Sequence, residues 1–339
     1  MHPLLAAGAT ALVLAQAPAA QREQQQYEQG RALVRQLLAG DVAALEPRLS
    51  PDFLAALGGR EGIARFAAQI AAEAGAEEQV LREAVFREAG HVSYYRRSRF
   101  ARLPDVTIRL VIGAGGQVVG GSVRPTQAPA ANPHELYRTK AQLRLPFRAP
   151  AANGRWYVGW GGREAIDNYH VAAPDQRYAY DFFVTRGGGE VAAGKGERNE
   201  DHYCWGEPVV SPAAGRIAVS VDGVEDNERP GSQRADVHPA GNHVVIDHGR
   251  GEYSLIAHFR RGSVAVRQGQ PVRAGQLLGR CGNSGRSSIP HVHYHLQTSA
   301  GFGDGLGLPA FFSNYLANGR PVRRGEPVRG QALLPSQRD

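Results

Sequence analysis

The chain has 339 residues, of which 42% are hydrophobic and 21% are charged, as in an ordinary globular protein. A single core rarely grows beyond about 250–300 residues, so we expect two domains. The net charge of +7 is carried almost entirely by scattered arginines. The sequence lacks long basic runs interleaved with aromatic residues, which argues against a nucleic-acid partner. The charge suits attraction to an anionic polymer such as a cell wall, and an arginine-rich genome explains it equally well.

The first twenty residues have the pattern of a secretory signal peptide. An apolar run from Leu4 to Ala15 precedes the small residues Ala17-Pro18-Ala19-Ala20, which fit a cleavage site. The run is too short to span a bilayer, and no other stretch of the sequence is long enough for a membrane helix. We therefore expect residues 1–20 to be removed and the protein to be exported, to the periplasm or outside the cell.

The chain contains two cysteines, Cys204 and Cys281. In an oxidising compartment an even pair favours one disulfide, which would stabilise the fold by roughly 4 kcal/mol on the chain-entropy model. Two separate buried thiols are the alternative, because the sequence does not show whether the pair meets.

Residues 21–125 are predicted to form a compact α+β domain. Apolar residues at helical spacing and terminating glycines predict three helices, one around Leu33 that ends near Gly40, one that begins at Ser50-Pro51-Asp52, and one over Gly62–Ala74. Four strands are then predicted at Val80–Arg87, His91–Arg99, Val106–Ile112 and Gln117–Val123. Helices followed by an antiparallel sheet indicate an α+β domain. In this pattern the segment resembles the small cone-shaped domains of the nuclear-transport-factor-2-like group, and its role, spacing or substrate positioning, stays open.

The rest of the chain is predicted to be a linker and an all-β domain. Residues 126–154 are rich in Pro and Ala, which predicts a linker that also leads into the next domain. Over residues 155–339, segments bounded by glycines predict strands at Arg155–Trp160, Tyr178–Thr185, Gly215–Val221, His243–His248, Glu252–His258 and His291–Thr298. Apolar residues broken by Gly269, Gly275 and Gly279 predict more short strands at tight turns, as in small β-sandwiches and barrels.

Histidines concentrate in the second half of the chain, where nine of the twelve lie between His170 and His295. The predicted strand at His291–Thr298 carries three of them at alternate positions, and alternate residues on a strand share a face. Neighbours on that face stand about 7 Å apart. This distance suits one metal ligand and one catalytic group over the same substrate, since neutral imidazole is the commonest metal ligand.

Other candidate residues lie upstream of this strand. His170 follows Asn168-Tyr169, and Asp181 lies among aromatic residues in a segment predicted to be a buried strand. A buried carboxylate is costly unless it is paired or bound to a metal, so a structural ion pair and a metal ligand are both open for Asp181. His258 stands where a strand is expected to end. We expect ordinary loop or strand-end roles for the remaining late histidines, which are His202, His238, His243 and His248.

Together these residues resemble the zinc metallopeptidases of the lysostaphin and LytM type. The resemblance covers roughly residues 155–335 and rests on the upstream His and Asp, Ala257-His258, the Gly-Asn-Ser-Gly loop at 282–285 and the Pro-His-x-His strand. It implies a barrel-sandwich metallopeptidase domain. It also implies that zinc is bound by His170, Asp181 and His293, and that the catalytic histidines are His258 and His291.

Two positions depart from the pattern of this family. Ten residues separate His170 from Asp181, where the common motif has three, so Asp175 is the fallback ligand. His295 occupies a position where the family usually has Glu or another polar residue, and we do not expect it to bind the metal. Asn283 and Ser284 would either shape the cleft or simply form a tight turn.

The resemblance implies a zinc-dependent endopeptidase that hydrolyses the peptide cross-links of bacterial peptidoglycan. Zinc would activate a water molecule, and one of His258 and His291 would act as the general base while the other stabilises the oxyanion. Which of them does which stays open, and so does the bond, a glycyl-glycine bridge or a D-alanyl cross-link to diaminopimelate. We also consider that residues 126–154 cover the cleft.

Three other functions are weighed against this one. A non-catalytic zinc-binding regulator of another wall hydrolase is the main alternative, although such relatives lack a ligand and every expected position is filled here. A biotinyl or lipoyl carrier is disfavoured because no lysine follows Lys195. A zinc ion that only stabilises a surface protein would usually have four protein ligands.

Overall fold

The computed structural model describes residues 19–88, 90–151 and 153–335. The chain divides into two compact units, residues 1–126 and 127–339. All but the last two residues of the expected signal peptide at 1–20 lie outside the described residues. Within the described ranges no helix has the length and apolar character needed to cross a membrane.

Helices open the described part of the N-terminal unit. They are α1 Ala19–Leu38, α2 Val42–Leu45, α3 Pro51–Leu57 and α4 Gly59–Glu73. As predicted, α3 begins at Ser50, whose Oγ accepts a hydrogen bond from the backbone N–H of Phe53 at 3.2 Å. Gly40 has a φ of 67°, the left-handed conformation that commonly ends a helix and that glycine adopts without strain. The predicted end of the first helix is therefore confirmed.

An antiparallel sheet completes this unit. Its strands pair in chain order and are β1 Glu77–Glu88, β2 His91–Phe100, β3 Val106–Ile112 and β4 Val118–Pro125. The inward residues of β3, such as Ile108 and Leu110, are buried in one apolar cluster with Leu33 of α1 and Ile63 of α4. The order of elements, helices and then an antiparallel sheet, is the order that the sequence predicts. The resemblance to the nuclear-transport-factor-2-like cone stays a prediction.

The second unit is mostly β-sheet, as predicted. Its strands are β5 Arg155–Trp160, β6 Tyr180–Thr185, β7 Pro208–Val210, β8 Gly215–Val221, β9 Asn242–Asp247, β10 Tyr253–Phe259, β11 Pro271–Val272, β12 Leu277–Arg280, β13 Val292–Gln297, β14 Gly307–Leu308, β15 Phe312–Ala317, β16 Arg320–Gly325 and β17 Ala332–Pro335. A large antiparallel sheet has the order β11-β8-β9-β10-β13-β6-β5-β17-β15-β16, with β14 paired to β13, and β7 and β12 form a separate pair.

Aromatic side chains from several strands fill the core of this unit. Trp156, Phe182, Tyr294 and Phe312 are all fully buried. Phe147 stacks on Trp156 with a distance of 4.0 Å between the ring centroids. Removal of each such side chain from water stabilises the fold by about 1.5–3 kcal/mol. This packing fixes the relative positions of β5, β6 and β13.

The predicted linker at residues 126–154 requires a correction. From residue 127 onward the chain is part of the second unit. Leu143, Leu145 and Phe147 are buried in the core of that unit. The carboxylate of Glu252, which is 1% exposed, accepts a hydrogen bond from the backbone N–H of Ala141 at 2.8 Å. The apolar residues, rather than the Pro and Ala around them, decide that this segment packs instead of linking.

Cys204 and Cys281 form a disulfide bond, and they are separated by 77 residues in the sequence. Cys204 follows a short 3-10 turn at Asn199–Asp201, and Cys281 follows β12 directly. Of the two possibilities that the sequence left open, the structure has the cross-link.

Candidate metal centre

Neighbouring strands bring the predicted site residues together. β6 and β13 are antiparallel partners, and Asp181 lies directly opposite His293 in their register. Residues opposite each other across an antiparallel pair project from the same face. On the other side of β13, Ala257 of β10 is opposite His293, so His258 follows at the end of that strand. His170 comes from a 3-10 turn at Tyr169–Ala172, shortly before β6.

The carboxylate of Asp181 is the centre of the site. Its Oδ1 lies 2.9 Å from Nδ1 of His293, 3.4 Å from Nε2 of His291 and 3.6 Å from Nε2 of His170. Its Oδ2 accepts a hydrogen bond from the hydroxyl of Tyr169 at 3.1 Å. The residue is 3% exposed. One buried carboxylate therefore joins three of the predicted histidines.

Asn168 fixes the orientation of His170. Its Oδ1 lies 2.8 Å from Nδ1 of His170 and also accepts the backbone N–H of that residue. A carboxamide oxygen only accepts hydrogen bonds, so Nδ1 carries the ring proton and Nε2 keeps its lone pair toward Asp181. Sequence analysis missed this role. The available signal was an Asn that precedes a short helical turn, the position where Asn commonly caps.

His258 and His291 present the same ring nitrogen to the site. Nδ1 of His258 lies 2.8 Å from the carbonyl oxygen of Ser284, and Nδ1 of His291 lies 2.8 Å from that of Ile289. Because carbonyl oxygens only accept, Nδ1 donates in both rings, and Nε2 of each neutral ring has a free lone pair. The two ring centroids are 4.8 Å apart. This arrangement provides two bases side by side.

The backbone at His258 is unusual. Its φ is 65°, in the left-handed region that residues other than glycine rarely occupy. The position coincides with a register shift between β9 and β10 after Ile256. Such conformations cost energy and concentrate at functional sites. The side chain of His258 is among those that line the cleft described below.

Burial and charge set the protonation states of these groups. Burial lowers the pKa of His170 to about 3. Burial, and to a lesser extent His291 and His293, also holds the pKa of His258 well below its usual value. Burial alone would raise the pKa of Asp181, but the neighbouring imidazoles hold it well below the usual range. Burial would likewise lower the pKa of His291, which the Asp181 carboxylate raises instead. An ionised carboxylate beside a neutral His170 is the state that metal binding requires.

The donor atoms of three residues fit a zinc ion. One ligand atom each from His170, Asp181 and His293 lie within 4.8 Å of one another, and all three residues are buried. Two imidazoles and one carboxylate form a common donor set of catalytic zinc sites, with Zn–N distances of about 2.0–2.1 Å. In the part of the chain that the structure describes, no other group of three His, Cys, Asp or Glu residues is close enough to hold a metal.

The site opens into a cleft with a volume of about 530 Å³. Aromatic side chains of Trp160, Tyr169, Phe183 and Phe302 line it, and Arg286 adds a guanidinium group. The residues described between 126 and 154 contribute nothing to this lining. The hypothesis that this segment covers the cleft therefore has no support.

Several residues considered in the sequence lie outside the group of three. Asp175, the fallback ligand, accepts a hydrogen bond from the backbone N–H of Gly303 at 3.2 Å and is not a member of the group. Ser284 accepts the backbone N–H of Asn242 and so braces the loop whose carbonyl holds His258. The other late histidines also stand apart from the group of three, and they are His202, His238, His243, His248 and His295.

Comparisons with known proteins find peptidases that are similar to part of the chain. Residues 202–304 match the family model "Peptidase family M23", a segment that contains His258, His291 and His293 but neither His170 nor Asp181. The chain is 45% identical over 60 residues to the peptidoglycan DD-endopeptidase ShyA of Vibrio cholerae, which covers 17% of this chain and 14% of ShyA. It is 29% identical over 154 residues to a metalloprotease of Haemophilus influenzae, covering 44% of this chain and 28% of that protein.

The matched segments span less than a third of each of these relatives. Among solved structures, the catalytic domain of lysostaphin from Staphylococcus simulans is similar at 20% identity, covering 46% of this chain and 90% of that domain with a TM-score of 0.29. Residues 202–304 of the chain are therefore similar to peptidase family M23.

Proposed function

We propose that this protein is a zinc-dependent endopeptidase that hydrolyses peptide cross-links of bacterial peptidoglycan. The observation that carries the proposal is the meeting of a His-Asp-His group with two further histidines in the lining of one cleft. The ShyA relative, which is a peptidoglycan endopeptidase by name, supports the choice of substrate. The expected signal peptide supports export, because the substrate lies outside the cytoplasm.

The zinc ligands in this proposal are Nε2 of His170, Oδ1 of Asp181 and Nδ1 of His293. Three protein ligands leave one position open to water or substrate, which distinguishes catalytic from structural zinc sites. When bound, zinc supplies an acidified water molecule and polarises the scissile carbonyl. Tyr169 donates a hydrogen bond to the second oxygen of Asp181 and so fixes the plane of that carboxylate.

His258 and His291 are the proposed catalytic residues. Each is anchored through Nδ1 to a backbone carbonyl, so each directs Nε2 rather than Nδ1 toward the cleft. One accepts the proton of the attacking water, and the other, once protonated, donates a hydrogen bond to the oxyanion. The pH–rate profiles of the single variants assign the two roles.

The cleft suits an extended peptide with acidic groups. Its aromatic walls offer apolar contact, and Arg286 is the one guanidinium among the described residues that line it. Peptidoglycan peptides carry carboxylates, which a guanidinium pairs with in bidentate geometry. This charge favours a cross-link that contains diaminopimelate over one built only of glycine.

The fold of the N-terminal unit is a separate proposal. We infer that residues 21–125 form a cone of the nuclear-transport-factor-2-like kind. The order of helices and antiparallel strands supports this, as does an apolar cavity of about 300 Å³ between them. A crystal structure of the full chain tests it, and a flat sheet without an enclosed cavity would rule it out.

The test compares zinc content and peptidoglycan hydrolysis in the full-length protein and single variants. His293→Ala should lose both metal and activity, whereas His291→Ala should keep the metal and lose activity. His134→Ala is the matched control, because His134 contacts Tyr137 and belongs to neither the ligand group nor the cleft. Release of new amino groups from purified peptidoglycan measures hydrolysis.

The alternative function is a non-catalytic zinc-binding regulator of another wall hydrolase. A residue of the expected type occupies every proposed ligand and base position, and this disfavours the alternative. A wild-type protein that binds about one zinc per chain, as one three-ligand site requires, but cleaves neither peptidoglycan nor glycine-rich peptides would establish that alternative. Removal of residues 1–126 in the same assay separates inhibition by the N-terminal unit from a true lack of activity.

A further inference from the structure

A chain of hydrogen bonds leads away from the candidate metal centre along one face of β13. Nε2 of His293 lies 2.9 Å from Nδ1 of His295, and Nε2 of His295 lies 3.0 Å from Oε1 of Gln297. The side-chain amide of Gln297 donates to the carbonyl oxygen of Gly301 at 3.1 Å. His295 and Gln297 are both completely buried. Each member of the chain therefore depends on its neighbours for hydrogen bonds.

The backbone carbonyl at the far end determines the direction of this chain. A carbonyl oxygen only accepts, so the amide nitrogen of Gln297 faces Gly301 and Oε1 faces His295. Oε1 also only accepts, so His295 donates from Nε2 and its Nδ1 has the free lone pair. That lone pair requires a donor, which places the ring proton of His293 on Nε2. Nδ1 of His293 faces Oδ1 of Asp181 at 2.9 Å, and it is the ring nitrogen that remains for a metal.

We propose that His295 and Gln297 are positioning residues that fix the tautomer and ring orientation of His293 for metal binding. The inference rests on the proposed function in one respect, that Nδ1 of His293 binds zinc. Neither residue contacts the metal or the substrate in this proposal. Both act through His293. The carbonyl oxygen of Gly301 sets the direction of the hydrogen bonds that reach His293.

The alternative tautomer is costly in this environment. With its proton on Nδ1, His293 would present the lone pair of Nε2 to the lone pair of His295 Nδ1 at 2.9 Å. Reversal of the whole chain would require Gln297 to turn its amide, which would place Oε1 of Gln297 against the carbonyl oxygen of Gly301 with no proton between them. Because His295 and Gln297 are completely buried, water cannot supply the missing partner. A proton fixed on Nε2 of His293 leaves Nδ1 as the ring nitrogen that can bind a metal.

Two substitutions at position 295 separate the hydrogen-bond chain from simple packing. His295→Leu fills similar space but accepts no hydrogen bond from His293. His295→Gln offers an oxygen to His293 and an amide donor to Gln297, so it preserves the direction of the chain. Tyr294→Phe is the matched control, because Tyr294 is equally buried on the same strand and its hydroxyl shares a hydrogen bond with Ser254 on the other face.

Zinc affinity and the tautomer of His293 are the two measurements. Competition with a chelator should show zinc binding weakened by about 10- to 100-fold in His295→Leu, the usual effect of losing such a partner. His295→Gln should recover most of this loss, and Tyr294→Phe should bind zinc like the wild type. In the metal-free wild type, nitrogen NMR should show a proton on Nε2 of His293.

The proposal is overturned if a folded His295→Leu binds zinc as tightly as the wild type, or if Tyr294→Phe loses as much affinity. It is equally overturned if metal-free His293 carries no proton on Nε2. Failure of the proposed function gives a different result. A protein that binds zinc with these affinities but cleaves nothing supports the role of His295 and Gln297 and contradicts only the assigned activity. A wild type that binds no zinc contradicts the proposed function. The position of the proton on His293 is then the measurement that tests the inference.

Discussion

Glu252 provides a direct test of how residues 127–154 are held in the second unit. Its buried carboxylate accepts hydrogen bonds from the hydroxyl of Tyr137 at 2.8 Å and from the backbone N–H groups of Lys140 and Ala141 at 2.5 and 2.8 Å. Bonds to a charged acceptor contribute about 1.5–3 kcal/mol each. Tyr137 and Lys140 reach water when the carboxylate is removed, so we expect Glu252→Ala to lower the free energy of unfolding by about 3 kcal/mol.

Urea unfolding measures this loss, and amide hydrogen exchange locates it. The amide protons of Lys140 and Ala141 should lose protection more than those of β10, because their acceptor has gone. Glu225→Ala is the control, since Glu225 forms an ion pair with Arg261 in which both side chains are 55% exposed. It should change stability by less than about 0.5 kcal/mol. Unchanged protection of Lys140 and Ala141 in Glu252→Ala would refute the reasoning and return the segment to the status of a linker.

Three further predictions concern the cleft and the cross-link. Arg286→Gln should raise KM about tenfold for peptides with a free diaminopimelate carboxylate and leave amidated peptides unaffected, and equal KM changes for both peptides would contradict a charge contact. Cys204→Ser should lower the free energy of unfolding by about 4 kcal/mol, measured in urea, with wild type in reductant as the comparison. His258→Asn should keep the fold and lose activity, since Asn tolerates the positive φ, whereas His258→Val should cost an additional 1–2 kcal/mol or so. Equal stability of the two His258 variants would show that the backbone there is not strained.

The candidate site residues were suggested by a family resemblance, and strand periodicity explains part of their placement. Alternation along residues 291–295 puts His291 and His293 on one face, and the aromatic neighbours of Asp181 indicate a buried strand. Sequence patterns do not give the pairing of β6 with β13, which places Asp181 opposite His293. That pairing spans more than a hundred residues, and it is set by the packing of the whole sheet rather than by local preference.

Other features were missed because their cause is not local. The segment at 126–154 has the composition of a linker, and the burial of Leu143 and Phe147 depends on a core that the rest of the domain builds. Strands β15, β16 and β17 are short, and none alternates strongly enough to stand out from its sequence. The role of Asn168 depends on the three-dimensional position of His170, although its type and place before a turn were visible.

Strand β13 shows how one short sequence carries both the core and the site. All six of its residues are buried, so both of its faces are covered by protein. Val292, Tyr294 and Leu296 enter the apolar core, while the alternate positions form the hydrogen-bond chain from His293 to Gln297. The apolar face locks the strand against movement, and a locked strand keeps the polar groups in register with Asp181. A substitution on the core face that lets β13 shift should therefore reduce metal affinity without touching a single polar contact.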